Sequence, residues 1–189
     1  MTKDVLRSDV RALELQIIKL IELYVSLRAQ AFGFELKNRT IRDQSGEIDI
    51  ASLYSEGQDH LVFIVNMHVS CIYCMSYADG FMGVPNHLGD DAALVLCSGS
   101  PPEEINAHKE KRGWPFDCYT FVSNDLPKEL GLYNEGEGIM PGAVGFTRQG
   151  DEITVAAVND FGCGDIFAPA WHLRALIDPK WMELEPKTL

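Results

Sequence analysis

The chain has no apolar run long enough to span a bilayer. Its longest, such as Leu61–Val65, fall far short of the roughly 20 residues a crossing helix needs. The opening stretch MTKDVLRSDVRALELQ carries charges where a secretory leader would be apolar, so the expected compartment is the cytoplasm. No cluster of Lys or Arg is present. With 16 basic against 28 acidic residues the net charge is −12, a surface that repels phosphate backbones, and no nucleic-acid partner is expected. A Gly-rich phosphate loop is also missing: Gly136-Glu137-Gly138 lacks a strand before it and a helix after it, so no nucleotide cofactor is expected. Cysteines number five, an odd count in 189 residues, which does not suit a secreted disulfide framework. There are no repeats and no low-complexity stretches.

What is present is a globular composition, 46% apolar and 10% aromatic, in a chain long enough to bury a core without staples. Residues 3–31 contain neither Gly nor Pro. Leu6, Val10, Leu13, Ile17, Leu20, Tyr24, Leu27 and Ala31 alternate spacings of four and three, a heptad seam on a long helix. Leu15, Ile18, Ile21, Leu23 and Val25 widen that face beyond a strict stripe. The helix can zip against a second subunit or lie along its own domain. The expected division is a helical arm, 1–33, and a single domain, 34–189.

Next comes a hairpin turning at Gln44-Ser45-Gly46, and then Leu61–Val65, whose continuous apolar, β-branched character reads as a central strand buried on both faces. The stretch from Cys71 toward His87 reads as a helix made irregular by Gly80, Gly83 and Pro85. Ala92–Ser98 is a second buried strand. Ser100-Pro101-Pro102-Glu103 has the pattern of a capping box with Pro at the first helical position, opening a helix that runs to Arg112 and stops at Gly113. A strand at Cys118–Val122, a short helix near Leu126–Leu130, a hairpin around Gln149-Gly150-Asp151 and a helix from Ile166 to Ile177, ending before Pro179, complete the order. Strands alternating with helices imply a parallel sheet covered on both faces, and the terminal hairpin makes it mixed.

Cys71 and Cys74 stand three apart where the central strand gives way to a helix. Such spacing arises by chance often enough that context must decide its meaning. At a helix N-terminus the unpaired N–H groups and the positive end of the dipole stabilise a thiolate on the first cysteine. The second, one turn further in and more buried, is placed to resolve a mixed disulfide. A zinc reading starts from His68, Cys71, Cys74 and His87, whose spacing is ligand-like. A third reading leaves both cysteines as small buried residues of a non-catalytic, dimerising binding protein.

These features resemble the thioredoxin-like superfamily, with C-x-x-C at the start of the helix after a central strand. More narrowly, the long N-terminal helix, the cysteines followed by SYADGF, then KEKRGWPF, FVSND and a closing helix with IDP are similar to the bacterial domain-of-unknown-function family of predicted dithiol–disulfide oxidoreductases, over about Phe34 to Pro179. The resemblance implies a thioredoxin-like α/β fold, a mixed central sheet flanked by helices. It also implies a redox-active Cys71–Cys74 pair but supplies no substrate; the expected partner is a protein or small-molecule thiol or disulfide, and no metal or cofactor is expected. It further implies that Pro141, immediately before GAVGF, follows a cis peptide beside the cysteines. The segment Trp114–Asp125 resembles the extra strand of peroxiredoxin-like proteins, but Ile64 and His68 stand where those enzymes carry Pro and Thr or Ser. Thioredoxin proper has Trp before the first cysteine and Gly-Pro between the two; here Ser70 precedes and Ile72-Tyr73 intervene, so the direction of electron flow is open. Thioredoxin's buried Asp is replaced by Val65, with Asn66 next. Auxiliary candidates are His68 as a proton acceptor, Tyr73 on an apolar substrate surface and Cys163 as a third thiol. For each, the bland alternative is a loop histidine, a core aromatic and an idle loop cysteine. Cys97 and Cys118, at the end and start of strands, are expected in the core. Homodimerisation through the N-terminal helix is the expected quaternary option.

Overall fold

A computed structural model describes residues 3–178 and 180–187; Pro179, expected to end the last helix, lies outside them. In chain order the elements are α1 (Lys3–Ala31), β1 (Phe34–Glu35), β2 (Thr40–Arg42), β3 (Glu47–Asp49), β4 (His60–Asn66), α2 (Ile72–Gly80) and β5 (Ala92–Ser98). Then follow α3 (Pro102–Arg112), β6 (Asp117–Phe121), α4 (Asp125–Glu129), β7 (Tyr133–Asn134), β8 (Gly138–Ile139), β9 (Gly142–Gln149), β10 (Glu152–Asp160) and α5 (Pro169–Ala175).

Eight strands form one sheet in the order β1-β10-β9-β4-β5-β6-β2-β3. Strands β4, β5 and β6 run parallel, joined by the crossovers that contain α2 and α3, while β9 returns antiparallel beside β4 and β10 pairs antiparallel with β9 on its outer side. The apolar run of β4 explains its central place. Leu61, Phe63 and Val65 point to one face, where they meet Phe121, Val144 and Phe146. Ile64 points to the other, among Met75, Ala78, Leu96, Ile105 and Trp171. A strand that must serve two cores has no polar face to alternate with. The sheet is thus mixed and covered on both sides, a thioredoxin-like α/β arrangement.

Helix α1 carries the heptad seam over its whole length, yet none of its residues is buried. Two other elements differ from expectation. Ser100 does not cap α3: Pro101 occupies the cap position, and the buried Ser100 hydroxyl instead accepts the N–H of Val69 at 2.9 Å. Helix α5 begins at Pro169 rather than near Ile166 and ends at Ala175. The delay has a cause in Asp165, whose carboxylate accepts the N–H groups of Gly162 and Phe167 and holds that stretch in turns. The short strand β1 and the β7–β8 pair extend the fold beyond the expected elements. No helix among the described residues is long and apolar enough to cross a membrane.

Candidate active site

Strand β4 ends at Asn66, and five residues later Cys71 is the N-cap of α2. Its backbone is extended, and its Sγ accepts the N–H of Cys74 at 3.2 Å, the contact a capping oxygen makes at an ordinary helix start. Sulfur in that role carries charge well, because the first-turn N–H groups have no helical partner. Cys71 is half-buried and Cys74 is buried, 4% exposed. Both are free thiols.

The pair is electrostatically asymmetric. Cys71 is lowered from 9.0 to about 6, first by the hydrogen bond from the Cys74 thiol, against burial, and then by the Cys74 N–H and the nearby His68. Cys74 is pushed far up, by its hydrogen bond to Cys71, by burial and by the Cys71 charge. The backbone N–H groups of Met67 and His68 oppose that rise. One proton is shared by two sulfurs and sits on the buried one.

The loop between Asn66 and Cys71 is held from below by polar side chains that the core encloses. Ser98 donates to the Asn66 side chain at 2.9 Å and accepts the Ser100 N–H at 3.1 Å. Ser100 in turn holds the Val69 N–H, and its own carbonyl accepts Thr120 Oγ1 at 2.9 Å. Ends of β4, β5 and β6 are thereby tied to the segment that carries the nucleophile. Gly99 belongs to the same device. A Cβ there would lie 2.3 Å from the Met67 carbonyl oxygen, so only glycine lets the two loops touch. Two serines closing an apolar strand were the available signal, and a local capping pattern masked one of them.

The second support is aromatic. Tyr73 is half-buried and stacks on Trp171 with centroids 6.1 Å apart; Tyr77 stacks on Phe161 at 4.3 Å. Tyr77 also donates to the Gly162 carbonyl and the Asp165 carboxylate, at 2.6 and 2.7 Å. Further along α2, Asp79 accepts from Trp114 Nε1 at 2.8 Å and from Arg112 at 2.5 Å. The SYADGF and KEKRGWPF stretches therefore meet: the first supplies Asp79, the second its two donors.

The remaining candidates fall as follows. His68 is exposed, with Nδ1 and Ser70 Oγ 2.6 Å apart, and its charge reaches Cys71. Cys163 is exposed, on the loop that Tyr77 holds against α2 one turn beyond Cys74. The topology brings it there, since Asp160 pairs with Gly142 and Gly142 with Val65. Pro141 opens β9 next to the end of β4, but the described residues contain no cis peptide, so Met140–Pro141 is trans. It needs no special isomer there: its carbonyl accepts the Phe161 N–H at 2.9 Å, and Met140 donates to the Leu132 carbonyl. The zinc reading is not supported, because among the described residues no three His, Cys, Asp or Glu side chains gather as ligands, and His87 sits in a separate 3-10 turn. Cys97 and Cys118 are buried in β5 and β6, and burial pushes both thiols up.

A family model described as "Bacterial protein of unknown function (DUF899)" matches residues 36–173. No curated protein matches the sequence. Among solved structures, peroxiredoxin Q of Xanthomonas campestris is similar with a TM-score of 0.56 at 16% identity, covering 72% of this chain and 88% of that one. Reduced Prx3 of Vibrio vulnificus, solved with hydrogen peroxide, gives 0.57 at 15%, covering 71% and 90%. A hypothetical protein of Sinorhizobium meliloti 1021 gives 0.53 at 15%, covering 84% and 88%. At these identities the likeness is one of fold, the peroxiredoxin-like form of the thioredoxin-like sheet.

Proposed function

The chain belongs to the bacterial DUF899 family, and we propose that it is a thiol–disulfide oxidoreductase with Cys71 as nucleophile and Cys74 as resolving thiol. One observation carries this reading: the half-buried Cys71 sulfur caps α2 by accepting the Cys74 N–H at 3.2 Å, with the Cys74 thiol buried one turn further in, an arrangement that favours a thiolate outside and a proton inside.

The order of events follows from that arrangement. Cys71 thiolate attacks a disulfide sulfur; a new S–S bond forms, the old one breaks, and the substrate's first sulfur leaves as thiolate. The charge on Cys71 is then gone. With it go the hydrogen bond and the repulsion that hold the Cys74 proton, while the Met67 and His68 N–H groups remain to receive a thiolate. Cys74 loses its proton to solvent and attacks the Cys71 sulfur, releasing the second substrate thiolate. Two electrons pass from the pair to the substrate. The reverse sequence oxidises a dithiol; Ile72-Tyr73 between the cysteines helps set the potential of the pair, and the direction follows from that potential against the partner's. The partner class is a protein or small-molecule thiol or disulfide.

A thiol peroxidase is the second reading, favoured by the peroxiredoxin-like fold. Cys71 thiolate would attack the peroxide O–O bond and become a sulfenic acid, with water or an alcohol leaving. Cys74 would then condense with it to a disulfide and a second water. Ile64 and His68 argue against this route, since the side chains that peroxiredoxins place there are absent.

A redox titration against dithiothreitol, with thiols trapped and mapped by mass spectrometry, tests the proposal. Cys71 and Cys74 should interconvert as one two-electron couple. A pair that never closes overturns it. Peroxide consumed faster than a model disulfide is reduced would move the assignment to the second reading.

A further inference from the structure

Helix α1 presents a large apolar surface that its own chain leaves open. Leu6 is 44% exposed, Val10, Ile17 and Leu27 55%, Leu13 56% and Leu20 63%. Contacts with the body come late in the helix: Tyr24 donates to the Asn159 side chain, and Arg28 is half-buried. A helix this apolar is stable in water only when another element covers it.

The seam names the kind of element. In heptad positions, Val10 and Ile17 are β-branched residues at a, and Leu6, Leu13, Leu20 and Leu27 occupy every d. That combination favours two parallel strands. The second half of the seam also faces a space. A groove of about 530 Å³ runs between Ile17, Leu20, Ile21 and Tyr24 on one wall and Gly162 and Ile166 on the other. A partner helix packed on a and d enters that groove.

Charge and area fit a second copy of this chain. The helix holds five basic and four acidic residues, a net +1, so the rest of the chain holds −13 of its −12 total. The two arms, at +1 each, meet with little mutual repulsion, and a parallel pair sets the two acidic bodies side by side at its C-terminal end. At 29 residues α1 is about 43 Å long. Covering roughly 90 Å² at each of the seven seam positions from Leu6 to Leu27 on both helices removes on the order of 1,260 Å², just above the roughly 1,200 Å² at which specific interfaces begin.

We propose that the protein is a homodimer in which the two α1 helices form a parallel two-stranded coiled coil along Leu6–Leu27, its lower end seated in the groove beside the 162–166 loop. The interface lies next to the loop that carries Cys163 and whose Asp165 holds Tyr77 of α2.

The test is the mass of the full-length, reduced protein by sedimentation equilibrium between micromolar and 100 micromolar concentration. Wild type should be a dimer. Leu13→Glu with Leu20→Glu should halve the mass while keeping the near-ultraviolet signal of the body. An independent Ile17→Cys variant should, on oxidation, give a covalent dimer whose mapped disulfide joins the two substituted positions, since a faces a across a parallel pair. A monomeric wild type overturns the proposal, whether or not it binds vesicles of anionic lipid or a foreign protein through this face. So does a dimer that survives the two glutamates, or one in which the position-17 sulfurs never pair.

Discussion

Replacing Cys74 by Ala removes the largest single cause of the low Cys71 value and leaves the Cys74 backbone N–H in place. A hydrogen bond to a charged group contributes about 1.5–3 kcal/mol. Because Cys71 is only half-buried, the low end applies, which is about one pKa unit. The wild-type thiol should therefore alkylate with a midpoint near 6 and the variant with one about a unit higher. Iodoacetamide at pH 5 reads this most sharply. A thiol at 6 is then ~9% ionised, against ~0.01% for one at the reference value of 9.0, a ratio of ~900. Lower basicity weakens the nucleophile by ~15–30-fold over three units, leaving a net advantage of ~30–60-fold. Peptide mapping separates Cys71 from the exposed Cys163. A wild-type midpoint near 9, or a midpoint unmoved by Cys74→Ala, refutes the account of the pair.

Two further substitutions test the supports of the site. Ser100→Ala leaves the Val69 N–H without its acceptor and should cost about 1–3 kcal/mol in urea unfolding and slow Cys71 alkylation, with Ser100→Thr restoring part of both. Asp79→Ala strands the Arg112 guanidinium, whose side chain is 7% exposed, and should cost about 3–5 kcal/mol; adding Arg112→Leu should recover much of that loss, because the uncompensated charge is gone.

Legibility in the sequence tracked how local each determinant is. Leu61–Val65 could be read as a central strand because a strand buried on two faces has no polar alternation to hide it. Cys71 could be placed at a helix start because the strand end and the helix are neighbours in sequence. Ser100 is illegible for the opposite reason. The partner of its hydroxyl, Val69, is 31 residues away, and that contact replaces the local capping pattern. The same holds for Asp165, whose bonds to Tyr77, Gly162 and Phe167 delay α5 past the point the apolar spacing suggests. Strands of two residues, such as Phe34–Glu35 and Tyr133–Asn134, are too short for a period of two to show. The heptad is plain throughout, but a seam specifies only that a helix has an apolar face, and the groove beside Gly162 and Ile166 shows only in the folded chain.

The proton count of the pair yields a prediction that separates the proposed couple from two unrelated thiols. A thiol whose folded value is depressed stabilises the reduced fold in full above its unfolded value, and that contribution is lost as pH falls through the folded value. For Cys71 the window runs from 9.0 down to about 6. Cys74, pushed up, keeps its proton throughout that window. Reducing the disulfide must then take up two protons below pH 6 and one above it. Each proton per two electrons tilts the midpoint potential by ~30 mV per pH unit. The potential of the Cys71–Cys74 couple should fall at ~59 mV per pH unit below about 6 and at ~30 mV per unit from there to at least 8. Equilibration with a glutathione series at half-unit pH steps measures it. A single slope of ~59 mV to pH 8 would mean that both thiols stay protonated and that the capping geometry does not hold a thiolate. A break near 6 that moves upward in Ser100→Ala would show that the buried serine acts on the nucleophile through the loop it anchors.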